Sequence, residues 1–162
     1  MSSYVSQIWQ PSTARAVALD GMLPLPRGVI PADLPPLVWP AKDPGDVLDY
    51  ELDVSAALAG DPTDQVSTVN VTIVPSGGTG DLAVGRVIGQ GAVAVLWLSA
   101  GQVGVVYAVQ ISVGTVKGRV IGRTVLLPVQ QLAAVQPPAS PLTSDAGSVI
   151  TDQNGNPILI GG

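Results

Sequence analysis

Apolar and polar residues alternate along most of the chain between residues 38 and 130. Leu48, Tyr50 and Leu52 fall on one side of a period-two run, and Asp49, Glu51 and Asp53 fall on the other. The stretch VSTVNVTIV sets Val69, Val71 and Ile73 against Thr68, Asn70 and Thr72. In VVYAVQISV, residues Val105, Tyr107, Val109, Ile111 and Val113 share a face. A period of two is the signature of a strand, because successive side chains leave a strand on opposite sides. The runs DLAVGRVI and GAVAVLWL are split by Gly89-Gln90-Gly91, and VIGRTVLLPV closes the series near Pro128. PSGGTG and AGQVG read as turns, and Lys117-Gly118 as a hairpin tip where glycine supplies a positive φ. SAALAGD is the helical candidate, long enough for a single turn. The pattern predicts an all-β, immunoglobulin-like antiparallel β-sandwich with Val69, Val71, Ile73, Tyr107, Val109 and Ile111 in its core.

The flanks have other patterns. Residues 1–37 form a proline-rich extended arm, with Pro11, Pro24, Pro26, Pro31, Pro35 and Pro36 excluding a long helix. Leu23, Leu25, Val29, Ile30 and Leu34 lie between the prolines. A free linker would be polar, so these residues are expected to lie against the protein's own domain or a neighbour, and are candidate partner contacts. Residues 131–162 divide into a linker and a C-terminal hairpin around Asn154-Gly155. Ile150, Ile158, Leu159 and Ile160 are the candidate contacts there, since a short hairpin has no core of its own. Its apolar residues are expected to join another surface, or to fold back on the sandwich.

Composition removes several functions. There is no His and no Cys. A Ser-His-Asp triad, a thiol nucleophile and a zinc–thiolate site are therefore excluded. Net charge is −5 with no basic cluster, which argues against nucleic acid as a partner. No apolar run is long enough to span a membrane as a helix. Charged residues make up 12% of the chain, about half the usual share. Such a surface is either rich in neutral polar groups or covered by other subunits.

Asp43, Asp46, Asp49, Glu51 and Asp53 stand out against this sparse charge. Three readings compete. The simplest is a solvated strand face, Asp49, Glu51 and Asp53, preceded by a turn carrying Asp43 and Asp46. A calcium loop would need no fixed motif in a sandwich, although the spacing matches no EF-hand. A glycosidase-like acid pair would need a second acidic segment with aromatic platforms, and none is visible. The solvated face is preferred, with no catalytic, cofactor-binding or metal-binding residue assigned and no cofactor expected. Trp97 and Tyr107 read as core or edge packing, Gly77–Gly80 as a turn, and Arg119 and Arg123 as a solvated strand end or an intersubunit ion pair.

Two segments carry a resemblance. Trp39, Lys42, Asp43, Pro44, Leu48, Asp49, Tyr50, Asp53 and Ser55 form the first; Leu98, Ser99, Gly101, Gly104, Tyr107, Val109, Thr115, Gly118 and Arg119 form the second. Over about residues 38–130 the chain resembles the bacteriophage fiber-tail adaptor proteins. Val54 stands where an aromatic is usual, and Ala100 stands in a Gly-Gly pair. The resemblance implies a structural virion protein of a phage tail, made in the host cytoplasm. It would join the tail tube or connector to tail fibers, with other copies of itself in a ring or collar. The alternative is an immunoglobulin-like binding module for carbohydrate or a host surface. Exposed aromatics around one loop end would favour that alternative, and the chain has only six Trp and Tyr residues in total.

Overall fold

The computed structural model describes residues 12–19, 28, 35–133, 140–144 and 147–160. They belong to two compact units, one up to Leu132 and one from Ala133 onward.

The first unit holds strands β1 (Ala16–Ala18), β2 (Leu37–Val38), β3 (Leu48–Asp53), β4 (Val66–Val74), β5 (Ala83–Gln90), β6 (Val93–Ser99), β7 (Val106–Thr115) and β8 (Val120–Pro128). They form two four-stranded sheets, ordered β1-β3-β6-β5 and β2-β8-β7-β4. The expected all-β architecture holds. SAALAGD supplies a single 3-10 turn, Ser55–Leu58, and Lys117-Gly118 lies in the β7–β8 hairpin turn with Gly118 at φ +82°. The body of each sheet is antiparallel, but β1 runs parallel to β3, and β2 parallel to β8. Both parallel edges come from the arm.

The two sheets share one core. Tyr50, Leu52, Leu96 and Leu98 of the first sheet join Tyr107, Val109, Val125 and Leu127 of the second, all fully buried. Burying each such side chain contributes roughly 1.5–3 kcal/mol. Ile73 and Ile111 are buried as expected, whereas Val69 and Val71 are only partly buried against the core. Val69, Val71 and Ile73 all lie on β4, an edge strand, and of the three only Ile73 is buried.

The described part of the arm is built into this unit. Ala16–Ala18 pairs with Glu51–Asp53, and Leu19 is buried in the core. Leu23, Leu25, Val29, Ile30 and Leu34 lie outside the described residues.

In the second unit β9 (Ser140–Pro141) pairs antiparallel with β10 (Leu159–Ile160). Thr151 bridges Pro157 around the Asn154-Gly155 turn, so the expected hairpin is present. The segment expected to be linker also contributes: Ser140–Pro141 is a strand and Thr143 bridges Val149.

Candidate partner-binding surfaces

The five acids between residues 43 and 53 are not a uniform solvated face. Four of them have partners of their own. Asp43 accepts the Gly45 N–H at 2.9 Å and the Leu132 N–H at 2.8 Å. Asp46 accepts the Asp43 N–H, and Asp53 accepts the Ser55 N–H at 2.8 Å. Asp49 forms an ion pair with Arg15 and accepts the Ser12 N–H at 2.8 Å. Burial pushes the Asp49 carboxyl up, but the Ser12 and Arg15 donors outweigh it and hold the group below its ordinary value. The arm thus neutralises an acid that the strand pattern assigned to solvent.

Glu51 differs from its neighbours. It is only 8% exposed, and its Oε1 is buried with no hydrogen-bond partner. Burial, then the Asp49 and Asp53 charges, raise its pKa. The solvated-face expectation fails here because β1 lies beside β3 and closes that edge of the sheet. Tyr50, on the inward face, also has an unpartnered buried hydroxyl, and burial pushes it up to about 12.

A second acidic corner was missed from the sequence. Asp64 is buried and accepts from the Lys117 N–H at 3.0 Å, the Thr115 hydroxyl at 2.9 Å and the Arg119 guanidinium. Asp61 pairs with Lys117 at 2.6 Å and Arg119 at 3.2 Å. The Lys117 ammonium is the main reason that the Asp61 carboxyl is held down at about 2. Thr115 and Arg119 were singled out by motif, but the Asp64 carboxylate that their side chains donate to lies more than fifty residues upstream. The expected solvated or intersubunit role of Arg119 becomes an ion pair within the chain.

A third cluster ties the sheets together. Trp39 is buried, its backbone N–H donates to Leu126 O on β8, and its indole N–H donates to Glu51 O on β3 at 2.9 Å. Its ring lies 5.1 Å from that of Tyr50. Lys42 is also fully buried, and its ammonium donates to Asp43 O and Ala100 O, each at 2.7 Å. Burial lowers the Lys42 pKa, against the pull of Asp46 and Asp43. Tyr107 donates to Asp81 at 3.0 Å and accepts the Gln102 N–H at 2.9 Å. Ala100 has φ +57° and Gly101 φ +106°. A left-handed pair of residues is the physical reason for a Gly-Gly pattern there. Trp39, Lys42 and Tyr107 therefore have structural roles, and none of the three is a surface platform.

The sequence from Lys42 to Pro128 matches one protein family, described as podophage GP4 fiber-tail adaptor protein gp77. The match covers more than half of the chain. This chain belongs to that family. No curated protein matches it. The adaptor is accordingly a structural component of a phage tail and of the virion.

Its exposed surface is the place for partners. Asn70, Thr72, Gln110, Ser112, Gly122, Arg123 and Thr124 line an open trough of about 430 Å³ on the outer face of the second sheet. The lining is mostly neutral amides and hydroxyls. Val47, Val116 and Val120 are exposed apolar residues elsewhere on the adaptor's first unit. In the second unit Ile150 and Ile158 are 37% and 43% exposed, and the backbone of Leu159 and Ile160 forms β10. Among the described residues no group of three acids could hold a metal ion, and no helix is long and apolar enough to cross a membrane.

Proposed function

We propose that the adaptor joins the tail tube or connector to the tail fibers through protein–protein contacts, without catalysing a reaction. Other copies of itself would complete a ring or collar at the junction. The observation that carries this reading is the family match across the sandwich. The acids support it. Asp49, Asp61 and Asp64 are each held by Arg or Lys from elsewhere in the chain, which is the arrangement of a braced scaffold. The arm and the C-terminal unit are the attachments in this reading. The arm's contribution narrows to its undescribed stretches, because residues 12–19 are part of the sandwich.

The test is a three-component sedimentation experiment with the connector and fiber proteins of the same virion. The full chain is expected to bring the two into one complex. Connector and fiber associating equally well without it would overturn the proposal. A chain lacking residues 1–11 should keep its unfolding temperature and bind the connector more weakly.

A further inference from the structure

The second unit contains an internal repeat. Read from Ser140, the chain runs SPLTSDAG, SVITDQNG, NPILI. Thr143 corresponds to Thr151, Ser144 to Asp152, Gly147 to Gly155, and Leu142 to Ile150 and Ile158. The backbone follows the repeat. Gly147 and Gly155 have φ +77° and +85°. The Ser144 N–H donates to Ser148 O, and the Asp152 N–H to Asn156 O, both at 2.8 Å. The Ser144 hydroxyl accepts the Ser148 N–H, as the Asp152 carboxylate accepts the Asn156 N–H.

The three copies close on one another. The Leu142 N–H donates to Ile158 O at 2.7 Å, the Ile158 N–H to Ile150 O at 2.9 Å, and the Ile150 N–H to Leu142 O at 2.8 Å. This is a complete ring of three equivalent bonds. Around it stand three equivalent antiparallel pairs: Thr143 with Val149, Thr151 with Pro157, and Leu159 with Pro141. Two corners are closed by a glycine turn. The third is made by the strands that enter and leave. The unit thus has a local three-fold axis within a single chain.

We propose that this unit is a plug for a partner with three-fold symmetry: one chain sits on the axis at the end of a homotrimeric fiber. The proposal deepens the adaptor reading and rests on it. A surface that repeats itself three times around an axis can make one set of contacts three times over, provided that the partner repeats in the same way. A second copy of this chain could meet the unit only through one self-complementary patch, which would leave the three-fold repeat unused. The three ring positions are apolar, flanked by the exposed hydroxyls of Thr143 and Thr151. Leu142 is half-buried, Ile150 and Ile158 are exposed, and Val149 beside them is 47% exposed. The Asp152 carboxylate already accepts the Asn154 and Asn156 N–H groups at 2.8 and 2.9 Å, so it is committed to its own turn. The partner surface is therefore an apolar, uncharged three-fold tip.

The experiment uses the full chain and the purified fiber trimer of the same virion, measured by native mass spectrometry and by titration. One chain per three fiber subunits is expected. Ile150→Asp/Ile158→Asp should weaken binding at least tenfold, with the sandwich's unfolding temperature unchanged. Ile150→Ala, which retains the backbone ring, should weaken it by a smaller factor. Three chains per trimer would overturn the three-fold fit. A double variant that still binds the fiber normally would overturn the plug and leave the adaptor reading standing. A wild-type chain that binds no fiber would overturn both, and a wild-type chain that instead dimerises through Ile150 and Ile158 would replace the plug with a self-association surface.

Discussion

Glu51 and Asp64 are both carboxylates less than 10% exposed, and the protein treats them in opposite ways. Asp64 collects a guanidinium, a hydroxyl and the Lys117 N–H from the Thr115–Arg119 turn, and its pKa falls although burial alone would raise it. Glu51 keeps a buried oxygen without a donor, and its pKa rises. The difference lies in what each strand face meets. The loop bearing Asp64 faces a turn full of donors, whereas Glu51 sits between Asp49 and Asp53 with Val95 across the strand pair. A buried charge stabilises a fold only when donors replace the water it has lost. Asp64 braces the hairpin, and Glu51 is tolerated.

The sharpest way to break this contrast is Asp64→Ala. It strands the Lys117 N–H and the Thr115 hydroxyl and leaves Arg119 with Asp61 alone, so the unfolding temperature should drop by several degrees, the largest change of the set. Asp64→Asn keeps acceptor and size and should recover part of the loss. If Asp64→Ala unfolds like wild type, the corner is not a brace.

The second test is Glu51→Gln, which removes the buried charge while keeping the shape of the side chain, so the variant is expected to be at least as stable as wild type near neutral pH. A loss of stability would mean that Glu51 has a favourable partner after all.

The pH dependence separates the two sites by sign. Asp61 and Asp64 have depressed values in the fold, so their stabilisation is present above the unfolded carboxylate range near pH ~4. It is lost as pH falls through the folded values, about 2 for Asp61. Glu51 has a raised folded value, so its penalty is absent below the unfolded range and grows as pH climbs through the folded one. Chemical denaturation from pH 2 to 7 should show Glu51→Gln and wild type converging in acid and diverging above the carboxylate range. The opposite trend would reverse the assignment.

Two smaller changes complete the series. Ala100→Gly should stabilise by up to about 1 kcal/mol, because it relieves a left-handed alanine while adding unfolded-state entropy. Lys117→Ala should produce the smallest change, since that side chain is 45% exposed and water screens its pair with Asp61.

The strands were legible from alternation, and the β7–β8 turn from Lys117-Gly118. The core positions Ile73, Tyr107, Val109 and Ile111 were legible for the same reason, because an inward face must be apolar at every second residue. Val69 and Val71 read identically to Ile73 on the same strand yet are less buried, since alternation does not show how far along a strand the core reaches. The acids of β3 were visible as a row, but their separate fates were not. Asp53 is held by the neighbouring Ser55, whereas the fate of Asp49 depends on Ser12 and Arg15 arriving from more than thirty residues away. The eight-residue repeat was readable in principle, from two Thr-Ser/Asp steps and two glycines at fixed spacing. It was overshadowed by the stronger local signal of Asn154-Gly155.

By itself the sequence determined an all-β chain, its turns, the absence of His and Cys chemistry, and the family motifs at Trp39–Ser55 and Leu98–Arg119. These are short-range properties: side-chain period, backbone conformations that favour glycine, and residue inventory. Only the tertiary structure decided that residues 16–18 form an edge strand of the sandwich, that Asp64 meets Arg119, that Glu51 is enclosed without a donor, and that Leu142, Ile150 and Ile158 close into a ring. Each of these joins atoms from separate elements. The free energy of such a contact depends on which groups exclude water together, and no local pattern of residues records that.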